Sequence, residues 1–287
     1  MGASRYEGCL KVPVGIHDSL TTFQFAWAQA SGMGRVGALA RAARRWILIC
    51  TVFAAIAITY SQPRLAQWRE YHQMADTRTV MRIPNALNVL SNVPFAIVGL
   101  LGLRAAFHAR RSEFNRRPFV VFFTGVALTA IGSGYYHMAP DNFRLVWDRL
   151  PMSVAFMGVL TAVISEFIDQ RLARWLLMPL VLTGAASVLY WYWSEVRGAG
   201  DLRFYGLVQF GSLAAITLTI ILYPRAASIW LAAALAAYGL SKICEIYDAP
   251  ILSSTHVVSG HTLKHLFAAA GAACIIPFSR DRSLPHP

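Results

Sequence analysis

The sequence predicts an all-α integral membrane protein: a seven-transmembrane helical bundle core with one extra N-terminal transmembrane anchor helix. Three observations carry this expectation. Only 14% of the 287 residues are charged and 56% are hydrophobic, with a mean hydropathy of +0.47, whereas soluble domains carry about 25% charged residues. Apolar runs recur at close to the roughly 20 residues that a bilayer-spanning helix needs. Most of the arginines fall in the short loops between those runs, where basic residues set membrane orientation. The formal net charge of +12 is therefore read as topology. Nucleic-acid binding would need a basic patch on a polar face.

Taken in order, residues 1–45 form an N-terminal cytoplasmic extension, weakly patterned and expected to be poorly ordered up to about residue 34. Arg35, Arg41, Arg44 and Arg45 then precede an uncharged run, residues 46–60. A basic stretch before an apolar one suits a signal sequence, but no A-x-A cleavage pattern follows Tyr60, so an uncleaved anchor is expected. Met33 is an alternative start. Seven apolar segments follow within a core of residues 76–278, at about 86–107, 118–138, 146–167, 174–193, 205–223, 227–246 and 258–277. Their apolar residues run all round the helix, as in lipid-embedded helices, and strand-like alternation, the mark of a barrel, is absent. Residues 279–287 are a short cytoplasmic tail. Cys9, Cys50, Cys244 and Cys274 are widely spaced and suggest neither a zinc ribbon nor a disulfide framework.

Loop charge sets the orientation. Arg104, Arg110, Arg111, Arg116 and Arg117 stand against Glu113 alone, so the loop after the first core segment is cytoplasmic. Alternation places both termini inside and the loops near 61–85, 139–147, 194–204 and 247–257 outside.

Ionisable groups within membrane segments are costly and usually face an interior cavity. Ser133 and His137 share a face at a spacing of four near the outer end of one segment. Asp148 stands where the chain re-enters the membrane. His261 and His265, again four apart, open the last segment, a spacing found in metal-binding helices. By topology all five lie at one depth on the outer side. Three imidazoles there would make a zinc site with an open fourth position, with Asp148 as its supporting partner or general base. Taken singly, Ser133 suits a backbone hydrogen bond and Asp148 a helix cap. Asn85, Asn88 and Asn92 share a face and suit helix packing. Glu245 and Asp248 read as a solvated helix end, and Trp191, Tyr192 and Trp193 as an interfacial aromatic belt.

The blocks Gly132-Ser133-Gly134-Tyr135-Tyr136-His137-Met138, Trp147-Asp148-Arg149-Leu150-Pro151-Met152 and His261-x-x-x-His265 resemble the signatures of alkaline ceramidases. They also fit the wider superfamily that includes adiponectin-type receptors and Per1-like lipid-remodelling proteins. Asp-x-Leu-Pro-Met and Asn88-Val89-Leu90-Ser91-Asn92 favour the ceramidase branch, and the resemblance covers about residues 76–278. It implies a zinc-dependent hydrolase acting on linear amide bonds, which splits ceramide-type sphingolipids into fatty acid and sphingoid base. His137, His261 and His265 would hold zinc, whose bound water has a lowered pKa. Asp148 would relay the proton, and Ser133 would hydrogen-bond the developing oxyanion.

Two departures from the family pattern stand out. Arg149 replaces the family's Glu beside the catalytic Asp. Asp76 is the sole remnant of an acidic calcium-binding stretch, so calcium, which favours several oxygen ligands, is not expected. The partner expected is a membrane lipid, in a multi-pass protein that suits a bacterial inner membrane with its site near the periplasmic side. The alternatives are a hydrolase of another acyl lipid, or a non-catalytic zinc-containing receptor or scaffold. A transporter is disfavoured, because no broken-helix repeat is visible.

Overall fold

The computed structural model describes residues 16–109 and 111–280, and every regular element there is helical. Eight helical stretches among the described residues are long and apolar enough to cross a bilayer, so this is a multi-pass membrane protein. The chain divides into two compact units, Met1–Ile47 and Leu48–Pro287.

The first helix, α1 (Ile16–Ser61), starts in the first unit, ends in the second and already begins at Ile16. The stretch expected to be poorly ordered is therefore helical from that point, and residues 1–15 lie outside the described ones. Alanine recurs through residues 26–43 and no proline follows Pro13 until Pro63, so helix propensity is high even where amphipathic patterning is weak. The membrane-length part of α1, Leu39–Ser61, starts before the expected residue 46 and is unburied along its apolar window.

The second unit holds the other seven candidate spans. They run Ala86–His108, Glu113–Met138, Asn142–Phe167, Gln170–Val196, Arg203–Leu222, Ser228–Ile246 and Gly260–Arg280. The first contains α2 (Ala86–Leu90) and α3 (Val93–His108). It breaks between them because Pro94 has no N–H to offer Leu90, while Asn92 Nδ2 donates to the Asn88 carbonyl at 2.8 Å. Next come α4 (Glu113–Met138), α5 (Asn142–Phe167) and α6 (Gln170–Val196). Each is opened by a capping side chain: Ser112 accepts from Asn115 N–H, Asp141 from Arg144 N–H and Asp169 from Leu172 N–H, which serves donors a helix start leaves bare. The fifth core span is α7 (Arg203–Gly206), a π-helical turn at Leu207–Gly211 and α8 (Ser212–Leu222). After α9 (Ser228–Ile246) and the short α10 (Asp248–Thr255), the chain closes with α11 (Gly260–Ala273) and α12 (Ile275–Arg280).

In lipid, helices associate through close packing and polar contacts, since burying apolar surface gains little there. α4 packs on α3 and α5, α5 on α6, and α9 on α11. The core includes Phe119, Phe123, Val163 and Phe278, all fully buried. At one end of the bundle Arg111 pairs with Glu166 and donates to the Ser279 carbonyl at 2.8 Å, and Arg225 donates to the Glu166 carbonyl at 2.7 Å. The other end gathers the C-termini of α4, α6 and α9 with the N-termini of α2, α5, α7 and α11. Two Asp-x-Arg staples tie its loops. Asp76 binds Arg78, which reaches the Val257 carbonyl at 2.5 Å. Asp201 binds Arg203, which reaches the Gln62 carbonyl at 2.6 Å. Hydrogen bonding to the guanidinium holds each carboxyl below its ordinary range.

Candidate functional site

The site lies at the loop-stapled end. His137 occupies the last turn of α4, and His261 and His265 lie one turn apart at the start of α11. All three are buried, at 1%, 5% and 4% exposure. Their ring centroids stand 4.8 Å (137–261), 4.8 Å (137–265) and 4.9 Å (261–265) apart. One ring nitrogen from each lies within 4.8 Å of the others, and His137 Nε2 is 3.3 Å from His261 Nε2.

Each histidine is held by residues distant in sequence. Ser91 donates to the Asn88 carbonyl at 3.1 Å and accepts from His265 Nδ1–H at 2.7 Å. That bond fixes the tautomer and leaves Nε2 bare. Asp248 accepts the His261 backbone N–H at 2.7 Å through one oxygen and the Ala75 N–H at 3.0 Å through the other. Asn85, in the left-handed region at φ 49°, donates to the His137 carbonyl at 2.8 Å. Asn88 Oδ1 accepts from Thr262 at 3.0 Å and Ser259 at 3.4 Å, joining α2 to the start of α11. Asn85 and Asn88 thus bridge elements, as their spacing suggests, whereas Asn92 bonds back to the carbonyls of Asn88 and Val89. Asp248 is not a solvated helix end: α10 turns its carboxylate back to two backbone donors. Glu245 likewise lies between two lysines, with Lys264 donating at 2.5 Å and Lys242 pairing with its other oxygen.

Ser133, one turn before His137, and Asp148 in α5 are 2% and 6% exposed. The two side chains lie near one another, and the carboxylate Oδ1 is buried with no hydrogen-bond partner. The packing that brings them together is local. Pro151 has no N–H for the Trp147 carbonyl one turn back, and Gly132 sits on that freed carbonyl so closely that a Cβ would overlap it. Small residues allow such approach between membrane helices.

A cavity of about 320 Å³ extends from this end into the bundle. Ser133, Asp148, Arg149, Lys242, Lys264 and His265 line its polar end, and Phe122, Val126, Val159, Leu213, Ile216 and Leu235 are among its apolar walls. The π-helical turn places Gln209 in the wall, where it donates to the Tyr238 hydroxyl. Such turns are frequent at functional sites. Arg149 is 5% exposed and lies over Trp191 (4.2 Å), Tyr205 (4.8 Å) and Tyr71 (5.4 Å). Trp191 is therefore no part of an interfacial belt. It is fully buried under Arg149 and donates to Glu195 at 3.2 Å, while Trp193 stays exposed. Sequence position at a helix end cannot separate these two tryptophans.

The three imidazoles fit a metal ion. Two ligands held tetrahedrally at about 2.0–2.1 Å stand about 3.3 Å apart, and the His137–His261 separation matches. A direct N–H···N bond would use the same distance, yet it would engage only two of the three imidazoles that converge there. Asp76, the acidic residue just before α2, is paired with Arg78.

Comparison with protein families matches residues 78–240 to the family described as Ceramidase. The matched stretch is more than half of the chain. It includes Ser133, His137 and Asp148 and ends before His261 and His265. Comparison with curated proteins gives no match.

Proposed function

This chain belongs to the ceramidase family, and we propose that it hydrolyses the amide bond of a ceramide-type lipid at a zinc centre held by His137, His261 and His265. Family membership implies a hydrolase acting on amide bonds of a lipid. The zinc, the named residue roles and the orientation are our reading. The observation that carries it is the convergence of three buried imidazoles with an unpartnered Asp148 oxygen at the polar end of an apolar cavity. Borderline-soft zinc suits a three-imidazole donor set.

Bound zinc supplies Lewis acidity and makes water a competent nucleophile near neutral pH. The residues of the chain do the rest. Asp148 accepts a proton from the attacking water at its free oxygen as the new C–O bond forms. It returns a proton to the nitrogen as the C–N bond breaks, so that fatty acid and amine leave. Ser133, which faces Asp148 in this structure, turns its hydroxyl to the carbonyl oxygen as charge develops there, stabilisation of a kind worth about 3–4 kcal/mol. The apolar walls seat the acyl chain and exclude water from the reacting bond. We place the site near the periplasmic face of a bacterial inner membrane, because Arg104, Arg111, Arg116 and Arg117 lie at the opposite end of the bundle.

The test uses detergent-purified protein, its metal content and release of fatty acid from a fluorescent ceramide. His261→Ala is expected to lose both zinc and activity, and Asp148→Asn to keep zinc and lose activity. An active, metal-free His261→Ala protein would sink the mechanism.

A further inference from the structure

Arg149 is a buried cation with no acid in ion-pair contact among the described residues. Four charged side chains line the cavity: Asp148, Arg149, Lys242 and Lys264. Both lysines pair with Glu245. Among the described residues, Arg149 makes no ion pair, with Asp148 or any other acid. Its Nη2 donates to the neutral Gln67 side chain at 2.7 Å, and its plane lies among the rings of Trp191, Tyr205 and Tyr71. Rings and an amide hold a guanidinium in place, but they do not neutralise it. Nη1 is buried with no acceptor at all, a costly state for a charged donor.

We propose that Arg149 is a specificity-determining residue that binds an anionic group on the amine-derived part of the substrate. The lipid would then be an N-acyl amide bearing a sulfonate, carboxylate or phosphate. This rests on the amide-hydrolase reading for the placement. Asp148 serves the leaving nitrogen, and Arg149 is the next residue along the same cavity wall. The anion therefore belongs to the amine side, with the acyl chain running down the apolar walls. The rings hold the guanidinium fork ready before ligand arrives, so little freedom is lost when it pairs. The cage of Tyr71, Trp191 and Tyr205 accommodates the charge.

The test compares two soluble amides with the same acyl chain and the same two-carbon spacer, N-lauroyltaurine and N-lauroylethanolamine. Binding to the full-length protein is measured by titration calorimetry in an uncharged maltoside detergent. Sulfonate is permanently charged and a poor zinc ligand, so the metal does not mimic the effect. The wild type is expected to bind the taurine amide at least about tenfold more tightly, and Arg149→Gln to bring the two within about twofold, as removal of a charge-assisted pair requires. Arg149→Lys should keep part of the preference, which decides the matter if the glutamine variant does not fold. Equal binding of both amides by the wild type overturns the proposal, as does a preference that survives in Arg149→Gln. Because binding is read without turnover, an inactive protein that still shows the Arg149-dependent preference would refute the hydrolase reading and leave this one standing.

Discussion

Asp248 fixes the backbone of His261. Its carboxylate accepts the His261 N–H at 2.7 Å while its second oxygen takes the Ala75 N–H, so one acid secures both the start of α11 and the loop before α2. A charge-assisted bond to a backbone donor is worth roughly 1.5–3 kcal/mol. Asp248→Ala should therefore lower Tm measurably and weaken zinc binding. Thermal melts with and without zinc, and competition with a chelator, check both effects.

Ser91→Ala removes the side-chain acceptor for His265 Nδ1–H. Partners of metal-bound histidines typically contribute about 10–100-fold in affinity, and a loss of that size is expected while the fold survives. Zinc affinity unchanged in Ser91→Ala would show that His265 is oriented by something else.

Gly132 and Gly134 make a matched pair two residues apart. A Cβ at Gly132 meets the Trp147 carbonyl, whereas one at Gly134 meets nothing within 4 Å. Gly132→Ala should push α4 from α5 and separate Ser133 from Asp148. A displacement near 1 Å at a reacting centre costs on the order of 100-fold in rate. Gly134→Ala should stay near wild-type activity, and equal losses in the two variants would mean that the close approach is not what matters.

Asp76 gives a pH signature. Hydrogen bonding to Arg78 depresses its carboxyl below the ordinary 3.8, so the native state favours the ionised form. Its stabilising contribution is present above the unfolded value, about pH 4, and is lost as pH falls through the lower folded value. Wild-type Tm should drop over that interval more steeply than the Tm of Asp76→Asn, measured from pH 5 downward.

Much of the bundle was legible because lipid demands long apolar runs, and the core spans lie where those runs lie. His137, Asp148 and the two α11 histidines were legible because ionisable groups stand out against an apolar background, and alternation of the spans puts them at one end. Asp248 was not, because its partners Ala75 and His261 come from other parts of the chain and its own segment looks like any polar helix end. Arg149 was visible as a reversed charge, but its cage was hidden. Gln67, Tyr71, Trp191 and Tyr205 approach it from three separate regions, and no spacing rule joins them. The helix from Ile16 is not legible in apolar runs, because the main signal of that stretch is alanine.

On the proposed zinc reading, the order of the three histidines along the chain fixes when the centre would form. The α4–α5 hairpin, which brings His137, Ser133 and Asp148, is complete by Phe167. His261 and His265 leave the ribosome nearly a hundred residues later, on the last span. A nascent chain halted before Gly260 has one imidazole of three and nothing to chelate with. On that reading ion capture would be the closing event of biogenesis, and the chain would stay catalytically incomplete until its last span is in place.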